Sequence, residues 1–578
     1  MDNIAVARAI DELADLMDLN DETSFRIRAF RTAARAIESH DASIAELAHK
    51  GELTNVRGVG DGVARRIKEL IETGKMADVE ALRAKLPPGL MELMKIPGVG
   101  LKTAQQVWRE RGVTTVDALE AAAKAEQLRD LPRFGPKREE KLVNAIAAWR
   151  KRASAPQRRL MAEALLLADA LVEQMLAVKG VLQCSYAGSL RRRAETIGDL
   201  DILVAAEDAD RVAIMDAFAT APSVVEVLGK GETKTSVVLD GGMQADLRIV
   251  ARASWGAAMQ YFTGSKDHNV AMRTIAVKKG LKVSEYGVFE ESGKSIAGDD
   301  EAKVYEAIGL AWMPPELREN RGEVELAQQG TVPDLVQLED VLGDLHMHTT
   351  ETDGKATIEQ MAEAARAAGR QYVAITDHSE ALVFVRGMTP DRLKEQVRRV
   401  READEKLDGS IRVLAGVEAD ILADGSLDLY GSLDDLDWVV GSVHSQLGMK
   451  RADMTKRVVK AIESGKIDCL GHPTGRQIGT REPSELDVEA VLAALERVGA
   501  AIELNCSPQR LDVSEHMARM ARDAGVPVVM NSDAHSVREL GFLRYGIGIA
   551  RRAWLAKEHL LNTRKLEELR EWRAARRS

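Results

Sequence analysis

The sequence has few of the residues on which small secreted proteins and membrane proteins depend. Its 578 residues include only three cysteines, Cys184, Cys469 and Cys506, which are too widely spaced for a disulfide framework or a Cys-x-x-Cys zinc site. No stretch reaches about 18 uncharged apolar residues, and the acidic N-terminus lacks the basic start and apolar run of a signal peptide. We therefore expect a protein of the reducing cytoplasm that has no membrane segment.

The chain as a whole also lacks an excess of positive charge, with 80 Lys and Arg against 91 Asp and Glu. The formal net charge is −11 at pH 7, which argues against a protein that coats nucleic acid through bulk electrostatics. The charge is uneven, because residues 1–160 carry a net +4 and residues 161–578 about −15. Only the first part of the chain is basic, and the acidic excess further on is either a solvated surface or a set of carboxylates gathered to hold cations.

The first 150 residues combine amphipathic helical patterns with glycine turns, which predicts an all-helical region. The turns recur about 40 residues apart, and this spacing identifies an internal repeat. Two copies are well formed, at Gly58 with Gly60 and at Gly98 with Gly100, and a looser third copy surrounds Gly135. At roughly 100 to 200 residues per domain, the chain is long enough for three to five domains, of which this region is the first part.

A glycine turn between two helices is able to bind a phosphate without reading a base. Its backbone N–H groups point outward, and a helix N-terminus follows them. One such turn is most simply a structural feature, but its repetition in a basic region favours a contact with the DNA backbone. The turns resemble the helix-hairpin-helix family, and the resemblance implies DNA contacts from Gly58, Gly60, Gly98, Gly100, Lys102, Arg66 and Arg26.

A mixed α/β pattern with alternating strand-like runs begins after the basic segment 151–159. Asp199 and Asp201 lie two residues apart on one predicted strand, so both carboxylates project from the same face. Asp246 lies on a later strand that is able to pair alongside, and the three acids together suit two Mg²⁺ ions. The turn at Ser189 and the guanidinium of Arg192 are suited to phosphate oxygens.

Residues 1–318 resemble the family X DNA polymerases. Residues 188–193 (GSLRRR) with 198–201 (GDLD) are similar to the nucleotidyltransferase signature, and residues 261–269 (YFTGSKDHN) to the nucleotide-binding turn. Core packing is the alternative interpretation of the two aromatic residues 261 and 262, in a chain with only 4% aromatics. The resemblance implies that Asp199, Asp201 and Asp246 bind two Mg²⁺ ions and that the nucleotide is bound by Ser189, Arg192, Gly198, Tyr261, Phe262, Gly264, Asn269 and Arg273.

The last part of the chain reads as a barrel of βα units. Residues 319–338 have the proline, glycine and polar character of a linker. From there on, seven apolar runs each stop at a polar residue and are followed by a helical pattern. Buried parallel strands have this appearance, and βα units that close into a barrel place ligands at the C-terminal ends of the strands. Seven units predict a smaller, distorted relative of the eight-stranded barrel.

Histidines are concentrated in this last part, which holds eight of the eleven. Six of them stand at the ends of predicted strands, and four carboxylates accompany them at the same mouth of the barrel. A single histidine there would more simply be a core residue, but six convergent ones predict a polynuclear metal site. Imidazole and carboxylate without thiolate favour Mn²⁺, Zn²⁺ or Fe²⁺ over Mg²⁺. The six histidines are His346, His348, His378, His444, His472 and His535, and the carboxylates are Asp353, Asp377, Glu418 and Asp533.

These motifs are similar to the polymerase and histidinol phosphatase (PHP) family, whose members have a trinuclear phosphoesterase site. Asp377 and His516 do not match its pattern, and we expect His516 to be a surface residue. The resemblance implies three Mn²⁺ or Zn²⁺ ions held by His346, His348, Asp353, His378, Glu418, His444, His472, Asp533 and His535.

Both resemblances together predict a multidomain bacterial polymerase X. The front site would fill short gaps in DNA repair, and the rear site would act as a 3′-5′ exonuclease, with 3′-end cleaning or abasic-site cleavage as further reactions. Expected partners are gapped or nicked double-stranded DNA and deoxynucleoside triphosphates, bound by a monomer. The predicted domains are a helix-hairpin-helix domain (1–85), a fingers-like helical domain (86–155), an α/β nucleotidyltransferase palm (156–252), a thumb (253–318), a linker (319–338) and a distorted (β/α)7 PHP barrel (339–578).

Three alternatives remain open at this point. The barrel could act on pyrophosphate or small phosphoesters instead of DNA ends, or the whole chain could be a DNA-end scaffold with decayed sites. A nucleotidyltransferase acting on RNA or small molecules would share the carboxylates, but it would not need the glycine turns. The completeness of the three acids and six histidines argues against decay.

One departure from the polymerase family concerns the first glycine turn. Many relatives remove a 5′-deoxyribose phosphate through a Schiff base, which requires a neutral lysine amine. Alignment on this turn places Arg66 at the position of that lysine and Gly62 where relatives often have a basic residue. Because a guanidinium stays protonated, we expect weak or absent lyase activity, with Arg66 and Arg26 as phosphate contacts instead.

Overall fold

The computed structural model describes residues 3–20, 22–38, 44–56, 58–87, 89–94, 96, 98–132, 134–153 and 158–577. The chain divides into two compact units, Met1–Gln157 and Arg158–Ser578. The predicted boundary between residues 155 and 156 lies outside the described residues. Within the described ranges, no helix is both long enough and apolar enough to span a bilayer.

The first unit is helical throughout its described residues, as the sequence predicts. Its helices bury one apolar face each, as in the helix that begins at Asp61, where Val63, Ile67 and Leu70 enter the core at helical spacing. The helices are α1 (Asn3–Leu19), α2 (Ser24–Glu38), α3 (Ile44–Lys50), α4 (Asp61–Thr73), α5 (Ala77–Arg83), α6 (Leu90–Leu93), α7 (Leu101–Arg111), α8 (Val116–Lys124) and α9 (Pro136–Ala153).

The first two copies of the repeat form the same turn, and the third shares its hydrogen bond but differs at the glycine, since Gly135 has a φ of 72° where Gly60 and Gly100 have −89° and −77°. In each, an apolar residue donates its N–H to the carbonyl three residues earlier at 2.9 Å, a glycine follows, and a helix begins at the next residue. Gly58 and Gly98 have φ values of 94° and 86°, which L side chains rarely adopt, so glycine is needed there. The donor and acceptor pairs are Val59 with Val56, Val99 with Ile96, and Phe134 with Leu131.

The second unit begins with a five-stranded mixed sheet in the order β2-β4-β7-β6-β5. Strands β4 and β7 are parallel, and the other neighbours in the sheet are antiparallel. The elements are β1 (Arg159–Leu160), α10 (Met161–Leu176), β2 (Val181–Tyr186), α11 (Gly188–Arg191), β3 (Thr196–Ile197), β4 (Asp199–Ala206), α12 (Arg211–Ala219), β5 (Val224–Lys230), β6 (Lys234–Leu239) and β7 (Gln244–Val250).

A small helical and β-sheet layer follows this mixed sheet. Its three strands form an antiparallel sheet in the order β10-β9-β8, and its core includes Met272, Tyr305 and Met313. The elements are α13 (Trp255–Thr263), α14 (Lys266–Lys278), β8 (Leu281–Ser284), β9 (Gly287–Glu290), β10 (Ser295–Ala297), α15 (Glu301–Ala307) and α16 (Glu323–Gln329).

The predicted barrel is present, with seven parallel strands in chain order among the described residues. Each predicted apolar run overlaps one strand, although several strands are short and the first run does so only at Asp344. The elements are β11 (Gly343–Asp344), α17 (Ile358–Ala367), β12 (Tyr372–Ile375), α18 (Pro390–Lys406), β13 (Arg412–Asp420), β14 (Trp438–Ser442), α19 (Arg451–Glu463), β15 (Cys469–Leu470), α20 (Val488–Val498), β16 (Ala501–Asn505), α21 (Glu515–Asp523), β17 (Val528–Asn531), α22 (Leu543–Arg552) and α23 (Leu566–Arg577). The helix predicted after the third run is wrong, because β13 and β14 are joined by a fully described loop whose one helical element is the 3-10 helix Tyr430–Ser432.

Backbone hydrogen bonds join the chain after β11 to the chain after β17. The N–H of His348 donates to the carbonyl of Ala534 at 2.9 Å, and the N–H of Asp533 donates to the carbonyl of His346 at 3.0 Å. These bonds close the ring between the first and last strands. The sequence places both histidines on a strand, but β11 ends at Asp344, so they lie on the extended segment just beyond it.

Candidate active sites

The three acids of the mixed sheet converge on its neighbouring inner strands β4 and β7. Asp199, Asp201 and Asp246 together are called the acidic edge below. Parallel pairing of β4 with β7 sets Asp201 directly beside Asp246, and Asp199 lies two residues before Asp201 on the same face. Gly188, at the start of α11, approaches Asp201 so closely that a Cβ atom would overlap its carboxylate. The turn at 188–189 and the acids are thereby held against each other.

Mutual repulsion marks this edge as a place for cations. Burial, together with the charges of Asp199 and Asp246, raises the pKa of Asp201 to about 6. Burial opposes ionisation of Asp246 too, but hydrogen bonds from Lys234, at 2.6 Å, and Gln244, at 3.0 Å, outweigh it and lower the pKa of that carboxyl. The charges of Asp199 and Asp246 thus oppose ionisation of Asp201, and a set of three oxygen donors fits hard divalent cations.

A cavity of about 350 Å³ lies beside the acids. It contains most of the side chains for which the sequence predicts nucleotide contacts, while Gly198 is not part of its lining. Lys266 also lines it and was not predicted. Its walls are Gly188, Ser189, Arg192, Asp199, Asp201, Tyr261, Phe262, Thr263, Gly264, Ser265, Lys266, Asn269 and Arg273.

The aromatic pair in this cavity serves both packing and the cavity wall. The rings of Tyr261 and Phe262 meet edge to face at 5.2 Å, and the guanidinium of Arg248 lies 4.7 Å from the ring centre of Phe262. Asn269 is fixed from two sides, because it donates to the carbonyl of Tyr261 and accepts from Gln260, both at 2.7 Å. The pocket beside the acids is therefore built from held side chains.

The barrel mouth brings all nine predicted histidine and carboxylate ligands together. Three overlapping groups have donor atoms that lie within 4.8 Å of one another, and Glu418 belongs to two of these groups. His472 and Asp533 stand outside the groups but next to them. The Nε2 atom of His472 is 3.0 Å from Glu418 Oε1, and Asp533 Oδ1 is 3.2 Å from His348 Nε2. The groups are His348, Asp353, His378 and His535; His346, His348 and Glu418; and His378, Glu418 and His444.

Unpaired buried atoms show that this cluster fits metal ions. Buried polar atoms almost always have hydrogen-bond partners. Among the described residues, His346 Nε2 and His348 Nδ1 are buried without one. His378 Nδ1 and Glu418 Oε2 are buried 2.6 Å apart without forming a hydrogen bond of regular geometry. Donor atoms of imidazole and carboxylate that converge without partners are suited to transition-metal ions.

The electrostatics of the cluster agree with this fit. Burial lowers the pKa of His348 to about 3, with further lowering from His535 and His378. Burial would also lower the pKa of His378, but the charges of Glu418 and Asp353 outweigh it and raise that pKa to about 10. The buried carboxylates therefore require positive charge beside them, which bound cations would supply.

Two carboxylates that the sequence does not predict support histidines of the cluster. Glu503 on β16 accepts from Nδ1 of His346 at 2.7 Å and from the backbone N–H of His472 at 2.7 Å. Asp420 on β13 lies 3.0 Å from Nδ1 of His444. A carboxylate on the far nitrogen of a histidine fixes the orientation of the ring that binds a metal. The available signal was a charged residue inside a buried apolar run.

Two further expectations concern residues outside the metal cluster. Asp377, which the sequence leaves out of the ligand set, accepts hydrogen bonds from Thr349, Thr352 and Gln396. His516 is exposed on α21, as expected.

Of the predicted DNA contacts in the first unit, Arg66, Arg26 and Lys102 lie on helices, and the four glycines lie in the turns before α4 and α7. Arg66 on α4 donates to Asp78 at 2.6 Å and to the carbonyl of Gly62 at 2.6 Å. Arg26 pairs with Glu22 at 2.8 Å. Lys102 lies in the first turn of α7, directly after the glycine turn. The two arginines are thus partly neutralised within the unit itself.

Comparisons with known proteins give matches along most of the chain. The helix-hairpin-helix domain matches residues 1–76, the SAM-like helix-hairpin-helix tandem residues 90–148, the DNA polymerase beta thumb residues 258–319 and the PHP domain residues 344–507. The DNA polymerase/3′-5′ exonuclease PolX of Bacillus subtilis (strain 168) is 36% identical over 569 residues, which are 98% of each chain.

Shorter relatives match part of the chain. A probable phosphatase of Thermoanaerobacter sp. (strain X514) is 29% identical over 232 residues, which are 38% of this chain and 89% of that protein. A probable phosphatase of Shewanella sediminis (strain HAW-EB3) has the same identity and coverage.

Proposed function

The chain belongs to the family of the bacterial DNA polymerase/3′-5′ exonuclease PolX, and we propose that its two sites divide those two reactions between them. Nucleotide addition belongs to the acidic edge of the mixed sheet, and removal of nucleotides from 3′ ends belongs to the barrel mouth. The carrying observation is that one unit contains two different sets of converging donors, one of carboxylates alone and one rich in histidine. This agrees with the fold class and the family that the motifs predict.

At the polymerase site, Asp199, Asp201 and Asp246 would hold two Mg²⁺ ions. Ser189, Arg192 and Lys266 line the cavity beside them and would bind the triphosphate oxygens of the incoming nucleotide. Asn269 and Arg273 also line the cavity and would face the new base pair, with the sugar near Tyr261 and Phe262.

At the barrel, the nine histidine and carboxylate side chains would hold three Mn²⁺ or Zn²⁺ ions. Divalent cations at either site supply Lewis acidity, which neutralises phosphate oxygens and lowers the pKa of a bound hydroxyl or water. The chain itself contributes orientation. Glu503 fixes His346 and Asp420 fixes His444, so the rings keep their lone pairs directed into the mouth.

The helix-hairpin-helix turns would hold the DNA backbone without sequence preference. We propose gapped or nicked double-stranded DNA and deoxynucleoside triphosphates as partners, a monomeric chain, gap filling in DNA repair as the role, and the cytoplasm as the location. The three cysteines of the chain are free, and two of them are buried, which fits a reducing compartment. The domain boundaries at residues 85, 155, 252, 318 and 338 belong to this proposal.

A second candidate activity for the barrel is hydrolysis of small phosphoesters. The similarity to two probable phosphatases favours keeping it. Primer extension and primer shortening should be measured on DNA with a one-nucleotide gap, with Mg²⁺ and Mn²⁺ compared. Release of phosphate from small esters is measured in parallel. Shortening of the primer supports the exonuclease, whereas phosphate release without shortening supports the second candidate.

A further inference from the structure

A helix of the barrel reaches the nucleotide cavity of the mixed sheet. Helix α22 ends at Arg552, whose Nη1 donates to the backbone carbonyl of Arg192 at 2.7 Å. Gly548, one turn earlier, leaves no room for a side chain, because a Cβ atom there would lie 2.8 Å from that of Arg193. The helix therefore packs directly on the segment that carries the proposed triphosphate ligand.

Arg192 and Arg552 share one carboxylate. Glu319 Oε1 accepts from Nε of Arg192 at 3.0 Å and from Nη1 of Arg552 at 2.8 Å. All three side chains are largely buried, with exposed fractions of 15% for Arg192, 6% for Arg552 and 16% for Glu319. Charge pairs with little solvent around them interact more strongly than surface pairs, so this group is energetically coupled.

Glu319 competes with a nucleotide for Arg192. The guanidinium of Arg192 lines the cavity, donates from Nη1 to the carbonyl of Thr263 at 2.5 Å, and is also paired with Glu319. These contacts use two of the five N–H donors of the guanidinium, and the negative charge of Glu319 offsets the attraction of Arg192 for a triphosphate. Arg552, whose Nε also pairs with Glu515, brings a second positive charge to Glu319, and this charge weakens the hold of the carboxylate on Arg192.

We propose that Arg552 is a positioning residue for nucleotide addition, through which the barrel keeps Arg192 available for the triphosphate. This inference rests on the proposed role of Arg192 in the polymerase site. It adds a residue that lies far along the chain, in the barrel and not in the polymerase motifs. Arg552 fixes the backbone of Arg192 and offsets Glu319, and it does not touch the substrate.

The other arginines of α22 provide a matched control. Arg544 pairs with Asp169 at 3.4 Å, and both side chains are about half exposed, at 46% and 48%. Arg551 pairs with Glu316 at 2.8 Å. Neither contact involves Arg192 or Glu319. Removal of the charge at residue 544 therefore breaks an ion pair between α22 and α10 but leaves the contacts of Arg552 with Arg192 and Glu319 in place.

The test uses the full-length chain and steady-state extension of a primer across a one-nucleotide gap. Arg552→Met should raise the KM for the deoxynucleoside triphosphate about tenfold with kcat within about twofold, since an interaction that acts on ground-state and transition-state binding alike changes KM. Exonuclease activity should stay unchanged. Arg544→Met should change neither KM nor kcat. Adding Glu319→Gln to Arg552→Met should restore the KM, because the competing charge is gone.

Several outcomes would overturn the proposal. These are an unchanged KM in Arg552→Met, equal loss of both activities, or a KM that Glu319→Gln does not restore. If Arg552→Met does not fold, Glu319→Gln alone decides, because the proposal requires it to lower the KM and an unchanged or higher KM contradicts it. Arg192→Met distinguishes failure of the proposed role of Arg192 from failure of the inference about Arg552. If that variant has a normal KM, the assigned role of Arg192 is wrong, whereas a raised KM with a silent Arg552→Met refutes only the inference.

Discussion

The two candidate sites solve the problem of holding cations in different ways. The acidic edge takes its three carboxylates from two neighbouring strands, and Asp199 is exposed. The barrel mouth takes donors from the ends of several strands, and His346, His348 and Glu418 are buried. An edge with three carboxylates, of which Asp199 is exposed, suits ions that arrive with the phosphates of the nucleotide. A buried ring of imidazoles suits ions that stay with the protein.

The surroundings of the donors differ as well. At the edge, Lys234 and Gln244 support Asp246. In the barrel, Glu503 and Asp420 each fix a histidine from its far nitrogen. The barrel ligands are therefore organised before any ion binds, whereas at the edge the charges of Asp199 and Asp246 oppose ionisation of Asp201.

The largest expected effect separates the two sites. Asp201→Asn should abolish nucleotide addition and leave exonuclease largely intact, and His346→Ala should do the reverse, since the ligands belong to different sites. Loss of a ligand should cost roughly a thousandfold or more in rate. Primer extension and shortening on the same gapped DNA measure both reactions. A folded variant in which either single substitution removes both activities would contradict the division into two sites.

Removal of metal should affect the two sites unequally. After treatment with a chelator and desalting, Mg²⁺ alone should restore extension, while shortening should need Mn²⁺, because histidine-rich donor sets favour the softer ion. Metal analysis of the purified chain should find bound transition metal in Asp201→Asn but much less in His346→Ala. Equal metal content in these two variants would show that the barrel does not retain its ions.

The donors of both sites could be predicted from the sequence because they follow local patterns. Asp199 and Asp201 share a strand face, and the histidines stand at the ends of apolar runs. Glu503, Asp420 and Arg552 were not predicted. Each acts on a residue that is distant in sequence, as when Arg552 bonds to Arg192. The spacing of apolar residues does not predict which surface of the barrel packs on the mixed sheet. The contacts of these three residues therefore could be found only in the structure.

A smaller effect should follow from the supporting carboxylate of the barrel. Glu503→Gln keeps the volume of the side chain but removes the charge that orients His346 at 2.7 Å. Exonuclease rate or metal affinity should fall about 10- to 100-fold, with extension unchanged. Titration of the metal-free protein with Mn²⁺ measures the affinity directly. An unaltered affinity and rate would show that the barrel does not depend on this preorganisation.

A 5′-deoxyribose phosphate lyase in the first unit would be a third reactive site, beside the acidic edge and the barrel mouth. Alignment on the first glycine turn predicts that Arg66 stands where relatives have a lysine nucleophile, and its guanidinium is engaged by Asp78 and the carbonyl of Gly62. Lys68 follows two positions later, a rotation of about 200° along the helix, and lies 3.7 Å from Glu72 on the surface. The guanidinium of Arg66 is no neutral amine, and Lys68 points to another face of the helix.

Borohydride trapping on a 5′-deoxyribose phosphate substrate should therefore give little or no covalent product with the natural chain. Arg66→Lys should increase trapping, because it supplies an amine where relatives have one, and Lys68→Ala is the matched control that should change nothing. Mass mapping of the adduct identifies the nucleophile. Efficient capture at Lys68, or at any other residue of the first 85, would contradict this prediction and show that the first unit has a lyase activity of its own.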